Sequence, residues 1–225
     1  RRPPERPEPG PARLGAANDH RAQNARTGAT TQNAEVCMGL AMPVLLCVDL
    51  QMEFIAPGRP WADPDGDEIA ARCADVLDNA RSNGWLVVHT QLHRGGPMLD
   101  GDGLPASIPG CAPRPGEVLL KRAGVSAYAH PDMDGVMAGC LAEGAIMIGF
   151  TAPMSLTTTL YDAEDRGHQL ALLEEACGSA HVGEWGAEHT RALCVATARK
   201  LQRSATLHDF AGALGSPPEP RRARA

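Results

Sequence analysis

Short apolar runs alternate with segments of helical periodicity from about residue 43 to about residue 210. PVLLCVDLQ (43–51) is continuously apolar until it meets an acid, the pattern of a strand buried on both faces. In GDEIAARCADVLDNARSNG (66–84), Ile69, Cys73, Val76, Leu77 and Ala80 recur at helical spacing, and Gly84 supplies a stop. WLVVHTQ (85–91), EVLLKR (117–122), AIMIGF (145–150) and HQLALLEE (168–175) predict four further strands. Helices are predicted over MDGVMAGCLAEG (133–144), SLTTTLYDAEDR (155–166) and AEHTRALCVATARKLQR (187–203), the first two closed by Gly144 and Gly167. ATLHDF (205–210) reads as a short last strand, and a loop rich in Gly and Pro occupies about 93–116.

Apolar strands separated by helices predict an α/β domain. Its doubly wound, Rossmann-like parallel sheet has five to six strands and carries helices on both faces. Ligands of such a sheet bind beyond the carboxyl ends of its strands. No GxGxxG follows the first strand, so a dinucleotide-dependent oxidoreductase has little support, and no cofactor is expected. Residues 1–41 include RRPPERPEPGPARLG and show no apolar periodicity, so they cannot bury enough surface to offset their ordering entropy. They read as a disordered extension, residues 42–212 as the folded domain, and 213–225 as a disordered tail. The expectation is that the working protein starts near Met42.

Composition narrows the function classes. The chain has 225 residues, 43% of them hydrophobic and only 4% aromatic, so aliphatic side chains must fill the core. Net charge is −6 with both signs mixed along the body, which argues against a nucleic-acid surface. No apolar run reaches transmembrane length. The seven cysteines are scattered without a CxxC pair, which suits free thiols in a reducing cytoplasm and disfavours a zinc knuckle.

The strand-end rule picks out three positions. Asp49 ends the first strand, where an acid is costly unless paired or solvated. It is either a loop cap or a perturbed functional carboxylate. Lys121 ends the third strand and is either a solvated surface charge or a partner that would tune Asp49. Ser155 follows the turn GFTAPMS (149–155) at a predicted helix start. It is either an N-cap or a nucleophile beside free backbone N–H groups.

VDLQMEF (48–54), KRAGVSAY (121–128) and GFTAPMSLTTTLYDAEDRGH (149–168) together resemble the isochorismatase-like cysteine hydrolases, over about residues 43–210. That family shows D-x-Q near its start, a lysine before S-A-F/Y, and a T-x-x-C turn leading into a helix. Each motif alone is weak, but three in order on matching elements are specific. The resemblance implies Asp49 as general base or acid, Lys121 as catalytic lysine, and Ser155 in place of the nucleophilic cysteine. It also implies a non-proline cis peptide between Phe150 and Thr151, with backbone N–H groups of Thr151 and Ser155 as the oxyanion hole. Gln51, Phe54, Trp61, His93 and Tyr128 are candidate substrate-binding residues by proximity to these motifs. Ala152-Pro153 departs from the family pattern, because proline removes a backbone donor.

Nicotinamidase members bind a metal after the second strand, but HTQLHRGG lacks the D-x-H-P pattern, so no metal is expected. His89 is then either a core residue or one that supports the site from behind. The resemblance implies hydrolysis of a small-molecule substrate at a C–N (amide or carbamoyl) bond through Ser155. Alternatively, a vinyl ether is hydrolysed with Asp49 as acid and without a covalent step. A catalytically impaired member that binds a ligand or partner is the other class of function. By resemblance alone, the protein is expected to be a homo-oligomer.

Overall fold

The computed structural model describes residues 42–93, 104–138 and 144–214. The expected N-terminal extension, most of the expected tail, part of the Gly/Pro loop and the end of the helix predicted over 133–144 lie outside the described residues. Six parallel strands form one sheet in the order β3-β2-β1-β4-β5-β6. They are β1 (Val44–Val48), β2 (Leu86–Leu92), β3 (Val118–Arg122), β4 (Ala145–Gly149), β5 (Leu170–Cys177) and β6 (Ser204–Ala205). The helices are α1 (Gly66–Ser82), α2 (Met133–Ala138), α3 (Thr157–Asp165), α4 (Ala187–Lys200) and α5 (Leu207–Leu214).

The central strand explains why the sheet is covered twice. Every residue of β1 is buried, and successive side chains of a strand point to opposite faces. Val44, Leu46 and Val48 join a cluster with Met133, Val136, Leu156, Leu160, Cys194 and Ala198, which covers one face with α2, α3 and α4. Leu45 and Cys47 join Ile69, Cys73, Val76, Leu77 and Phe210 on the other, under α1 and α5. Among the described residues, no helix is long and apolar enough to cross a membrane.

Two predicted elements differ. The last strand is only Ser204–Ala205, and the chain then turns into α5, so helix continues through residues 213 and 214 of the expected tail. Thr206 and Asp209 hold this start: Thr206 N and Oγ1 donate to Asp209 Oδ2, each at 2.8 Å, and Asp209 N returns a bond to Thr206 Oγ1 at 3.2 Å. That reciprocal pairing is a capping box, and Phe210 seats α5 by meeting Trp85 edge-on at 5.2 Å. Ser155 also does not begin a regular helix. Residues Ala152–Leu156 form one turn of π-helix, from which α3 continues.

Two glycines let the chain reach that turn. Gly149 has φ 122°, and a Cβ there would lie 1.9 Å from the Val48 carbonyl oxygen. A Cβ on Gly178 would lie 2.0 Å from the Phe150 ring, which is fully buried and stacks on Phe54 at 6.4 Å. Gly178→Ala is therefore expected to destabilise the fold by about 1–3 kcal/mol through overpacking. Gly149→Ala should cost more, because its obstacle is main chain and its φ is unfavourable for alanine. Denaturant unfolding of both variants checks the size and the ranking.

Candidate active site

The strand order reverses between β1 and β4, the place where doubly wound sheets open a crevice. Val48 and Gly149 are register partners at its floor. Just beyond them, β1 delivers Asp49 and β4 delivers the turn that carries Ser155. Asp49 has φ 51°, a left-handed conformation that aspartate tolerates better than most residues. Its own N–H donates to the Thr90 carbonyl at 2.9 Å. The Phe150–Thr151 peptide is cis.

Asp49, Arg122 and Ser155 meet in one buried cluster. Ser155 Oγ donates to Asp49 Oδ2 at 2.7 Å, and Arg122 Nη2 donates to the same oxygen at 2.7 Å. Leu92 N donates to Asp49 Oδ1 at 2.9 Å. Asp49 and Ser155 are 0% exposed, as are the side chains on both sides of the ion pair. Burial pushes the Asp49 carboxyl above the usual carboxylate range, against the opposing pull of Arg122 and of the hydrogen bonds from Ser155 and Leu92. The result is a carboxylate more basic than an exposed one, already holding the serine hydroxyl. The serine side chain faces the acid and makes no N-cap bond to α3.

The cation beside Asp49 is Arg122, whereas Lys121 is exposed and stands outside the cluster. The cause is the two-residue period of β3. Val118 and Leu120 are buried, so the alternation turns residue 122 inward and residue 121 outward. Pairing of Leu92 with Arg122 then brings the guanidinium to the end of β2. Its fork serves two acceptors, since Nη1 also donates to the Gly124 carbonyl at 2.7 Å. Alternation counted from Val118 was the signal in the sequence that selects Arg122 over its neighbour.

The other candidates separate. Gln51 is fully buried, and its amide is taken up by main chain: Nε2 donates to Leu92 O and Pro105 O, each at 3.2 Å, and Oε1 accepts from Leu92 N at 2.9 Å. Phe54 lies wholly in the core against Phe150, and Trp61 packs half-buried on the same cluster. Tyr128 points away from Ser155. Its hydroxyl pairs with His168 Nδ1 at 2.8 Å, beyond the far end of α3, while Arg166 covers its ring. The S-A-Y segment is tied instead to α3, through Ala127, whose N–H donates to Thr159 Oγ1 at 3.0 Å.

His93 is exposed at the end of β2, its imidazole held below the usual range by partial burial and the nearby Lys121 charge, with Asp49 acting in the opposite sense. Thr151 is buried, and its Oγ1, like Arg122 Nε, has no hydrogen-bond partner among the described residues. His89 is buried and bound to Glu117 at 3.0 Å, away from the cluster. Among the described residues, no group of three or more His, Cys, Asp or Glu could hold a metal ion.

Comparison with known proteins places the chain in a family. The model of the isochorismatase domain matches residues 43–202. The maleamate amidohydrolase of Pseudomonas putida is 24% identical over 156 residues, covering 62% of this chain and 73% of that protein. The streptothricin hydrolase of Streptomyces noursei is 27% identical over 143 residues, 59% of this chain, which thus spans about half (52%) of that relative's length. In three dimensions, an isochorismatase-like hydrolase from Alkaliphilus metalliredigens shares the fold with a TM-score of 0.66 at 18% identity, over 79% of this chain and 99% of that one. With its parallel sheet and its family match over most of its length, the chain belongs to the isochorismatase family and is a hydrolase.

Proposed function

We propose that this hydrolase cleaves a C–N bond of a small carboxamide, with Ser155 as nucleophile, Asp49 as base and Arg122 as the cation that keeps Asp49 ionised. The observation that carries this reading is the 2.7 Å bond from Ser155 Oγ to Asp49 Oδ2. A nucleophile and its base within hydrogen-bond reach, with a third group orienting the base, is the minimal arrangement for covalent acyl transfer. The maleamate amidohydrolase supports the choice of bond.

In this mechanism Ser155 Oγ attacks the amide carbon while its proton passes to Asp49. Backbone N–H groups of Thr151 and Ser155 hold the oxyanion, and protonated Asp49 then gives its proton to the leaving nitrogen as the C–N bond breaks. Water hydrolyses the resulting ester with Asp49 again as base. A hydroxyl is not ionised near neutral pH as a thiol partly is, so the step leans on a strong base. The upward displacement of Asp49 makes it a better base than an exposed aspartate. Arg122 cannot release its own proton, so its role is electrostatic and geometric.

The same displacement favours a second reading, in which Asp49 protonates a vinyl ether and Ser155 takes no part in bond making. Ser155→Ala separates the two. It should abolish amide hydrolysis under the first reading and leave vinyl ether hydrolysis intact under the second.

Incubation with a reactive p-nitrophenyl ester, followed by peptide mass spectrometry, should find the acyl group on Ser155. An adduct elsewhere, or none while amides are hydrolysed, would sink the covalent route. Ammonia release from a panel of small amides, maleamate included, should fall about 10²-fold or more in Asp49→Asn. Arg122→Met should lower activity and cost about 3–5 kcal/mol of stability by leaving a buried carboxylate unpaired. Because Asp49 must be ionised to act as base, and its carboxyl sits above the usual range, kcat/KM should fall with acidification at a higher pH than for an exposed aspartate. A pH–rate profile whose acid limb lies in the ordinary carboxylate range contradicts this.

A further inference from the structure

Gln51 lies two residues past Asp49 and is wholly buried, yet nothing in the proposed chemistry uses it. Its amide makes three bonds to main chain, and one of them is shared. The Leu92 N–H is 2.9 Å from Gln51 Oε1 and 2.9 Å from Asp49 Oδ1, so a single donor serves both side chains. A divided hydrogen bond holds each acceptor less firmly than an undivided one. The Gln51 Nε2 donors meanwhile fix the Leu92 carbonyl and the Pro105 carbonyl.

Pro105 belongs to a segment laid along the chain that follows Asp49. Met52 N donates to Ala106 O at 2.8 Å, Glu53 N to Leu104 O at 3.1 Å, and Ile108 N to Leu50 O at 3.0 Å. The buried Glu53 carboxylate reinforces it by accepting from Leu104 N at 3.0 Å while paired with Arg59. Gln51 thus links the 104–108 segment to the main-chain N–H at the end of β2 that also serves Asp49, beside a second tie from Gln91 Nε2 to Ser107 Oγ at 2.9 Å.

We propose that Gln51 is a positioning residue that sets how firmly the Asp49 carboxylate is held, by competing for the Leu92 N–H, and that ties this setting to the 104–108 segment. The proposal rests on the reading of Asp49 as the working carboxylate. The charged or titratable groups facing Asp49 are Arg122 from β3, with Ser155 from the π-turn and His93 from the end of β2. Glu53 follows on the same segment and is engaged by Arg59 and Leu104.

Two substitutions act on the shared donor in opposite ways. Gln51→Met removes the competing acceptor, so the Leu92 N–H serves Asp49 alone and favours its charged form. Gln51→Glu keeps the acceptor but places a second carboxylate beside the first, which disfavours ionisation of Asp49. Carbon-13 NMR titration of the Asp49 carboxyl in the full chain, assigned by loss of its signal in Asp49→Asn, reads this without any substrate. The midpoint is expected to move down in Gln51→Met and up in Gln51→Glu, each by about half a pH unit or more. A merely structural role moves the melting temperature and leaves the midpoint in Gln51→Met alone. Unmoved midpoints in folded variants, or shifts of the same sign in both, overturn the proposal, and if Gln51→Met does not fold, Gln51→Leu, which likewise removes the acceptor without adding a charge, decides in its place. Opposed shifts in a protein that hydrolyses no amide would leave this inference standing and remove the amidase reading instead.

Discussion

The structure around the Asp49 cluster depends on one buried carboxylate and the donors that hold it. Asp49 follows directly on the most buried strand of the sheet, where an isolated charge would be far too costly to hold. Three donors from three separate elements make it tenable: a guanidinium from β3, a main-chain N–H from β2 and a hydroxyl from the turn after β4. Each must arrive at the same point, so the register of the strands and the path of that turn are constrained together. Burial still outweighs the donors and leaves the carboxyl more basic than usual. The same balance that makes the acid tolerable makes it chemically useful.

The turn is the least forgiving of the three suppliers. Ser155 reaches Asp49 because Gly149 passes close against the Val48 carbonyl and Gly178 gives room to the Phe150 ring. Phe54, three positions beyond Gln51 in the core, stacks on that ring. Residues outside the Asp49–Arg122–Ser155 cluster thereby set where the hydroxyl stands. Met154 N and Leu156 N both donate back to the Thr151 carbonyl, which closes the π-turn and holds Ser155 between them.

In the proposed amide reading, an oxygen nucleophile would change what the surrounding residues have to do. A thiol would share the work of ionisation with its base, whereas a serine hydroxyl would leave that work to Asp49. Arg122 also differs from a lysine in kind. It holds Asp49 and the Gly124 carbonyl with separate nitrogens and cannot lose its proton, so it orients the base without exchanging protons with it. Gln51, behind Asp49, adds a lever on the same carboxylate through a donor they share.

Much of the fold was legible in the sequence because its signals are local. Continuous apolar runs marked the five long strands, helical periodicity marked α1 to α4, and a carboxylate closing the first run marked a candidate site. The capping pair Thr206 and Asp209 was equally local, and it outweighs the apolar pattern that reads as a strand over 205–210. What the sequence left open were relations between elements. Lys121 and Arg122 are adjacent, and only the strand's facing and its pairing with Leu92 decide which cation meets Asp49. Proximity in sequence suggested Tyr128, Phe54 and Gln51 as pocket walls. Packing directs Tyr128 to His168, Phe54 to Phe150 and Gln51 to main chain. Local pattern determined which elements exist and where on the sheet chemistry can occur. Which side chains face one another there was decided only by the tertiary structure, because direction on a strand becomes contact only when its neighbours are in place.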